Sequence, residues 1–179
     1  MNIVVFPVVG PTKYCGFYGD PREHGPHRGV DICAPMSTPV LAINDGSVSF
    51  GTDPMGGLVA VLRSSDGSAA YFAHLSAYEG RARRVSAGDV IGYVGMTGNA
   101  ATTLPHLHIE LWPTGVYTDT IDPLPQLKTA QRFLSPPTTI SRLTTGQAVV
   151  AGAGILAFAG LLGYVVLSDR PLRLRARWL

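Results

Sequence analysis

Residues 104–112 read Leu104-Pro105-His106-Leu107-His108-Ile109-Glu110-Leu111-Trp112. Taken with a period of two, His106, His108, Glu110 and Trp112 fall on one face and Leu107, Ile109 and Leu111 on the other. That alternation is the mark of a half-buried β-strand. Pro105 stands at the entry, where a missing N–H is tolerated. On such a strand His106 and His108 point the same way, about 7 Å apart at roughly 3.3 Å per residue. Two surface histidines are the ordinary explanation of an isolated His-x-His, so the rest of the chain must decide whether this pair carries chemistry.

Working outward, the neighbouring segments also read as strands. Val90–Val94, Ala69–His74, Leu58–Arg63, Gly46–Phe50, Pro39–Ile43 and the stretch around Val30 and Ile32 are short β-branched or alternating runs. Asn44-Asp45-Gly46 predicts a hairpin between the strands on either side of it, and Ser65-Asp66-Gly67 predicts a second. Ile3–Val9 reads as a first strand, and Gly10–Pro26, rich in Gly, Pro and charge, as a long loop of the kind that carries function. With 46% apolar residues, 21 Gly and 14 Pro, and no convincing helical period, the expected class is mostly β with an antiparallel sheet.

The 179 residues fit one globular domain and an appendage. Residues 1–125 carry 7 Lys/Arg against 11 Asp/Glu, a net of −4, and hold no basic stripe. Nucleic-acid binding by this domain is therefore not expected. Residues 126–145, with Ser135-Pro136-Pro137-Thr138-Thr139, read as a linker, although Leu127–Leu134 could form one short helix. Ala148–Leu167 is twenty residues without a charge, followed by SDRPLRLRARW. The run predicts a transmembrane helix over 146–168 and a basic tail over 169–179. Its small-residue pairs, Ala153/Ala157 and Ala159/Gly163, could pack a second helix. The opening, MNIVVFPVVGP, lacks the basic start and unbroken apolar run of a secretory signal. Cys15 and Cys33 could pair, lie free or bind metal.

A hydrolytic zinc site needs three neutral or anionic side-chain ligands and one open position. The chain has only five histidines. His27 and Asp31 lie four apart, but Pro26, Gly29 and Val30 argue against a helix between them. They read instead as a loop end and the strand it enters. One histidine of the His106/His108 pair would complete a His₂Asp set. His74 and the other member of the pair could then hold the attacking water or stabilise an oxyanion. Glu110 reads as a solvated or supporting group, His24 as a loop histidine, and Tyr71 as a core residue more than a lining one. Tyr93 and Trp112 are available to line a groove, with walls from Gly10–Pro26 and Asp53–Gly57.

His27-Arg28-Gly29-Val30-Asp31, the later Ala73-His74-Leu75-Ser76, and Pro105-His106-Leu107-His108-Ile109-Glu110-Leu111 resemble, in order, the three signature motifs of the lysostaphin-type, or LytM-like, zinc endopeptidases. The similarity runs from about Phe6 to Pro123 and includes DICAPMSTPVLAINDGSVSF and GDVIGYVGMTGNA. It implies a LytM-like antiparallel fold, zinc ligated by His27, Asp31 and His108, and His74 and His106 as the assisting pair. It further implies hydrolysis of peptide bonds in bacterial peptidoglycan. Two departures stand out: NAATTLP ahead of His106 is longer than usual, and Cys33 occupies a place where a small apolar residue is common. The competing class is a non-catalytic peptidoglycan-binding or structural virion module, against which the five retained positions argue. A zinc peptidase acting on Gly-rich proteins is the weaker third reading.

The expected partners are the peptidoglycan peptide and a lipid bilayer gripped by the C-terminal helix. A wall-cutting domain must reach the wall, and two settings would allow it. One is a membrane-containing phage particle carrying the protein, with virion proteins as neighbours. The other is a bacterial inner membrane with the domain facing the periplasm.

Overall fold

The computed structural model describes residues 2–137. In chain order it contains β1 (Lys13–Gly16), β2 (Pro21–Arg22), β3 (Gly25–Pro26), β4 (Val30–Cys33), β5 (Pro39–Leu41), β6 (Gly46–Asp53), β7 (Gly57–Arg63), β8 (Ala69–Tyr78), β9 (Arg83–Val85), β10 (Val90–Val94), a 3₁₀ turn at Gly98–Ala100, β11 (His106–Trp112) and α1 (Leu124–Thr129). Nine strands form one antiparallel sheet in the order β1-β4-β11-β8-β7-β6-β9, with β10 joining β8 to β5; β2 and β3 make a separate small hairpin.

The alternation in β11 sets the layers. Leu107, Ile109 and Leu111 are fully buried and meet Val30 and Ile32 of β4 and Phe72 and Ala70 of β8 in one apolar cluster. The opposite face of β11 carries the polar set, and it is buried as well: the whole strand is covered on both sides. Register then decides who meets whom. His108 lies opposite Asp31 on β4 and Ala73 on β8, Glu110 opposite Tyr71, and Trp112 opposite Ala69. Directly opposed residues share a face, so the small Ala73 leaves room for the His108 ring, and Tyr71 stacks on Trp112 with centroids 5.5 Å apart.

The expected hairpin at Ser65–Gly67 forms between β7 and β8, with Gly67 at φ +85. The one expected at Asn44–Gly46 does not. β5 pairs with β10, while β6 pairs with β7 and β9. The turn side chains serve other segments instead: Asn44 accepts from the Val4 N–H and Asp45 from that of Ala87. Ile3–Val9 is likewise not a continuous strand. It makes isolated bridges, Val5 to Gln131 and Val8 to Val40, and Pro7 between them has no N–H to give. The Gly10–Pro26 stretch contains β1 to β3 instead of being all loop.

The packed unit runs past residue 125. Leu127 is fully buried, Gln126 accepts from the Ile3 N–H, and the Arg132 guanidinium sits 3.5 Å from the Phe6 ring centroid. The expected transmembrane helix (146–168) and basic tail (169–179), with the latter part of the linker, lie outside the described residues. Cys15 and Cys33, left open by the sequence, are joined in a disulfide that ties β1 to β4 with Cα atoms 5.9 Å apart.

Candidate active site

His27, placed just before β4, Asp31 on β4 and His108 on β11 bring three donor atoms to one point. His27 Nε2 lies 2.9 Å from His108 Nδ1 and 3.1 Å from Asp31 Oδ1, and His108 Nδ1 lies 3.0 Å from the same oxygen. Backbone fit enforces this closeness. A Cβ on Gly29 would stand 2.2 Å from the Ile109 carbonyl oxygen, and one on Gly16 2.2 Å from Asp31 Oδ2.

The outer hydrogen bonds fix which ring nitrogens face inward. His27 Nδ1–H donates to the Phe17 carbonyl at 2.8 Å, and a carbonyl can only accept, so Nε2 carries a lone pair. His108 Nε2–H donates to Glu110 Oε1 at 3.3 Å, leaving the lone pair on Nδ1. Two imidazole lone pairs and a carboxylate oxygen thus converge without a donor of their own. One proton could answer one of these contacts; a metal cation answers all three. Donors on a tetrahedral ion with bonds of about 2.0–2.1 Å sit roughly 3.3 Å apart, close to the spacing seen. The donor set and its geometry therefore suit zinc, and the partner on the far side of each histidine is the usual support for a ligating imidazole.

The electrostatics agree. Burial by itself would raise the Asp31 carboxyl, but the His108 and His27 imidazoles beside it outweigh this and hold it well below the usual carboxylate range. Arg22 Nη2 donates to Asp31 Oδ2 at 2.8 Å and turns the other oxygen toward the histidines. Burial disfavours a charged His108, yet Asp31 and Glu110 on its two sides overcome this and raise it. An imidazole between two carboxylates calls for a positive charge, which a metal ion supplies as well as a proton does. Glu110 is not solvated: besides His108 it accepts from Trp112 Nε1 at 2.7 Å and from Arg28 Nη2 at 3.2 Å.

His74 and His106 border this centre. Their ring centroids are 4.8 Å apart; His74 lies 6.0 Å from the His108 ring, and His106 Nε2 lies 3.9 Å from Asp31 Oδ1. Each donates Nδ1–H to a backbone carbonyl, His74 to Thr97 at 2.9 Å and His106 to Leu104 at 2.8 Å. In the neutral form of each ring the lone pair therefore lies on Nε2. Burial pushes the His74 imidazole down to about 4, so it is neutral at pH 7.

Simple alternation would put His74 on the core face with Phe72. An extra residue in β8 against β7 and a left-handed His74, φ +63, reset the pattern, so that Leu75 enters the core and His74 joins the site. The His74 N–H donates to the Gly56 carbonyl at 2.7 Å. Around it the 53–57 loop and the turn after β10 interlock. A Cβ on Gly98 would stand 2.2 Å from the Met55 carbonyl oxygen, and one on Gly57 2.3 Å from Thr97 Oγ1.

All five expected site residues are thus brought together, each 7–9% exposed. His24 is exposed and stays outside. Tyr71, expected in the core, is half-buried at the site edge, its ring edge-on to His108 at 6.3 Å and its hydroxyl donating to Asp53. Tyr93 donates to Glu79. Sequence reasoning missed Arg22, Arg28 and the carbonyls of Phe17 and Thr97. The two arginines flank or occupy the first motif, but nothing in the string says which carboxylate each would find.

The chain is similar to known proteins in sequence and in fold. The family model for Peptidase family M23 matches residues 25–122. DD-carboxypeptidase/endopeptidase Mpg of Neisseria meningitidis serogroup B is 37% identical over 110 residues, covering 59% of this chain and 25% of that protein. Glycyl-glycine endopeptidase ALE-1 of Staphylococcus capitis is 38% identical over 111 residues, covering 59% of this chain and 30% of that one. This chain thus spans less than a third of either relative's length. Among solved structures, the catalytic domain of the antimicrobial peptidase lysostaphin from Staphylococcus simulans superposes with a TM-score of 0.59 at 34% identity, covering 65% of this chain and 92% of that one. With more than half its length matched across the β4, β8 and β11 motifs, the chain belongs to peptidase family M23.

Proposed function

We propose that the protein is a zinc-dependent endopeptidase that hydrolyses peptide bonds of bacterial peptidoglycan. The observation that carries this reading is the convergence of three lone-pair donors, His27 Nε2, Asp31 Oδ1 and His108 Nδ1, beside two further histidines with free Nε2 atoms. These three residues hold the metal; His74 and His106 assist. A zinc ion bound there polarises the scissile carbonyl and lowers the pKa of a water toward neutrality. His106 or His74 accepts a proton from the attacking water through Nε2. The protonated imidazole then donates to the developing oxyanion and passes its proton to the leaving amine. Arg22 and Glu110 keep Asp31 and His108 aimed at the centre throughout.

Peptidoglycan as substrate is supported by the relatives, which include endopeptidases of both the DD and the glycyl-glycine kinds. The direct test is to incubate zinc-loaded protein with purified peptidoglycan and follow release of soluble peptide ends. Release that stops with a chelator and returns with zinc supports the reading; a zinc-loaded protein that binds peptidoglycan without cutting it turns the reading into the binding-module alternative.

The anchored setting rests on the apolar run 148–167 and the basic tail behind it. In this proposal a single span holds the domain on a membrane, a phage virion membrane first and a bacterial inner membrane second. Deleting residues 146–179 should leave zinc binding and cutting intact and abolish retention in particles or membranes. A truncated chain that loses zinc with its ligands unchanged would mean that the run packs on the domain.

A further inference from the structure

Arg28 follows the ligand His27 directly, yet the metal geometry makes no use of it. Its Nη2 donates to Glu110 Oε2 at 3.2 Å, and its Cζ lies 5.7 Å from the centroid of the exposed Tyr117 ring. An arginine has five N–H donors in a planar fork. Among the described residues Glu110 is the one acceptor that meets them, and the Nε–H is buried with no partner at all. Even so, 41% of the side chain remains open to solvent. A guanidinium held from behind by one carboxylate, flanked by an aromatic ring and open in front, is prepared for a second anion.

Its place along the site is set by β11. His106, His108 and Glu110 follow one another on one face, about 7 Å per step. The proton-accepting His106 therefore lies on one side of the metal donors, and the Glu110–Arg28 pair on the other. One such step corresponds to about two residues of an extended peptide. Charge points the same way. Glu110 is shared among Arg28, His108 and Trp112, and Asp31 between Arg22 and the histidines. With a divalent ion present, the two arginines leave this floor net positive within a domain that is otherwise acidic.

We propose that Arg28 is a specificity-determining residue of the cleft, binding a substrate carboxylate that lies within about two residues of the scissile bond. The preferred substrate is then an acidic peptide, such as a stem-type segment with a free carboxylate, and not a neutral oligoglycine. This inference rests on the peptidase reading for the identity of the cleft, but not on turnover for its test.

The test uses the zinc-loaded full chain and two fluorescent peptides with the scissile amide replaced by a ketomethylene group. The peptides are identical except that one bears a free carboxylate two residues from that position and the other a carboxamide. A charge-assisted contact is worth enough for about a tenfold preference, so the wild type should bind the acid at least about tenfold more tightly. Arg28→Gln should bring the ratio close to one, and Arg28→Lys should keep part of it, because a point charge replaces the fork. If Arg28 merely braced Glu110, the substitution would weaken both peptides alike and leave the ratio standing. That result, or a wild-type ratio near one, overturns the inference. Retained acid preference in a protein that never cuts the corresponding cleavable peptide would sink the endopeptidase reading and leave this inference in place.

Discussion

Along β4 and β11 the site side chains stand where a regular antiparallel register puts them. Asp31 faces His108, alternate residues enter the core, and no backbone angle is unusual. At His74 the opposite holds. The strand carries an extra residue, the backbone is left-handed, and two glycine-bearing loops clamp the position. In the proposed mechanism the regular region gathers the metal donors, and the distorted one delivers a proton-handling group that regular alternation would have buried on the wrong face. A left-handed non-glycine residue costs about 1–3 kcal/mol and persists only where its surroundings over-determine it. Here the surroundings are the Gly56 carbonyl, the Thr97 carbonyl and the interlocked Gly57 and Gly98.

The largest expected effect breaks the regular side. His27→Ala or Asp31→Ala leaves two donors, which hold zinc poorly; both should copurify without metal and show no measurable release from peptidoglycan. Next comes the distorted side. His74→Ala should keep zinc and lose on the order of 10²- to 10⁴-fold in turnover. A variant without zinc would show instead that His74 belongs with the ligands.

The remaining contrasts are smaller. Removing the Cys15–Cys33 bridge, which spans 18 positions between β1 and the ligand strand, should cost about 3 kcal/mol of stability in the chain-entropy model. Urea midpoints of the reduced and oxidised protein measure it, and coincident midpoints would show that the bridge constrains nothing. Glu110→Gln removes a charged partner of His108 and should weaken zinc binding about 10- to 100-fold, read by chelator competition. Last, His74→Gly should be about 1 kcal/mol more stable than His74→Ala. Equal midpoints for the two would mean that the left-handed turn stores no strain.

The same contrast explains what the sequence revealed. β11 was legible because one strand alternates cleanly between Leu107, Ile109 and Leu111 and the polar set. Asp31 and His27 were legible as candidates because the chain offers few ligand-type residues, and the resemblance to the lysostaphin-type motifs, more than their spacing, pointed to them as ligands. Ser65-Asp66-Gly67 gave a hairpin correctly. Asn44-Asp45-Gly46 misled because its side chains bond to distant backbone, at Val4 and Ala87, which local turn chemistry does not encode. His74 could be named but not placed, since its bulge depends on loops more than fifteen positions away in either direction. Glu110, Arg22 and Arg28 took their partners from tertiary register, and so did the disulfide.

The division of labour inside the His106/His108 pair is the central claim, and the zinc content of two variants tests it most directly. Purified His106→Ala and His108→Ala proteins are exchanged into metal-free buffer, and zinc per chain is measured by atomic emission. The account predicts about one zinc per chain in His106→Ala and close to none in His108→Ala. An empty His106→Ala protein beside a fully loaded His108→Ala protein would contradict it.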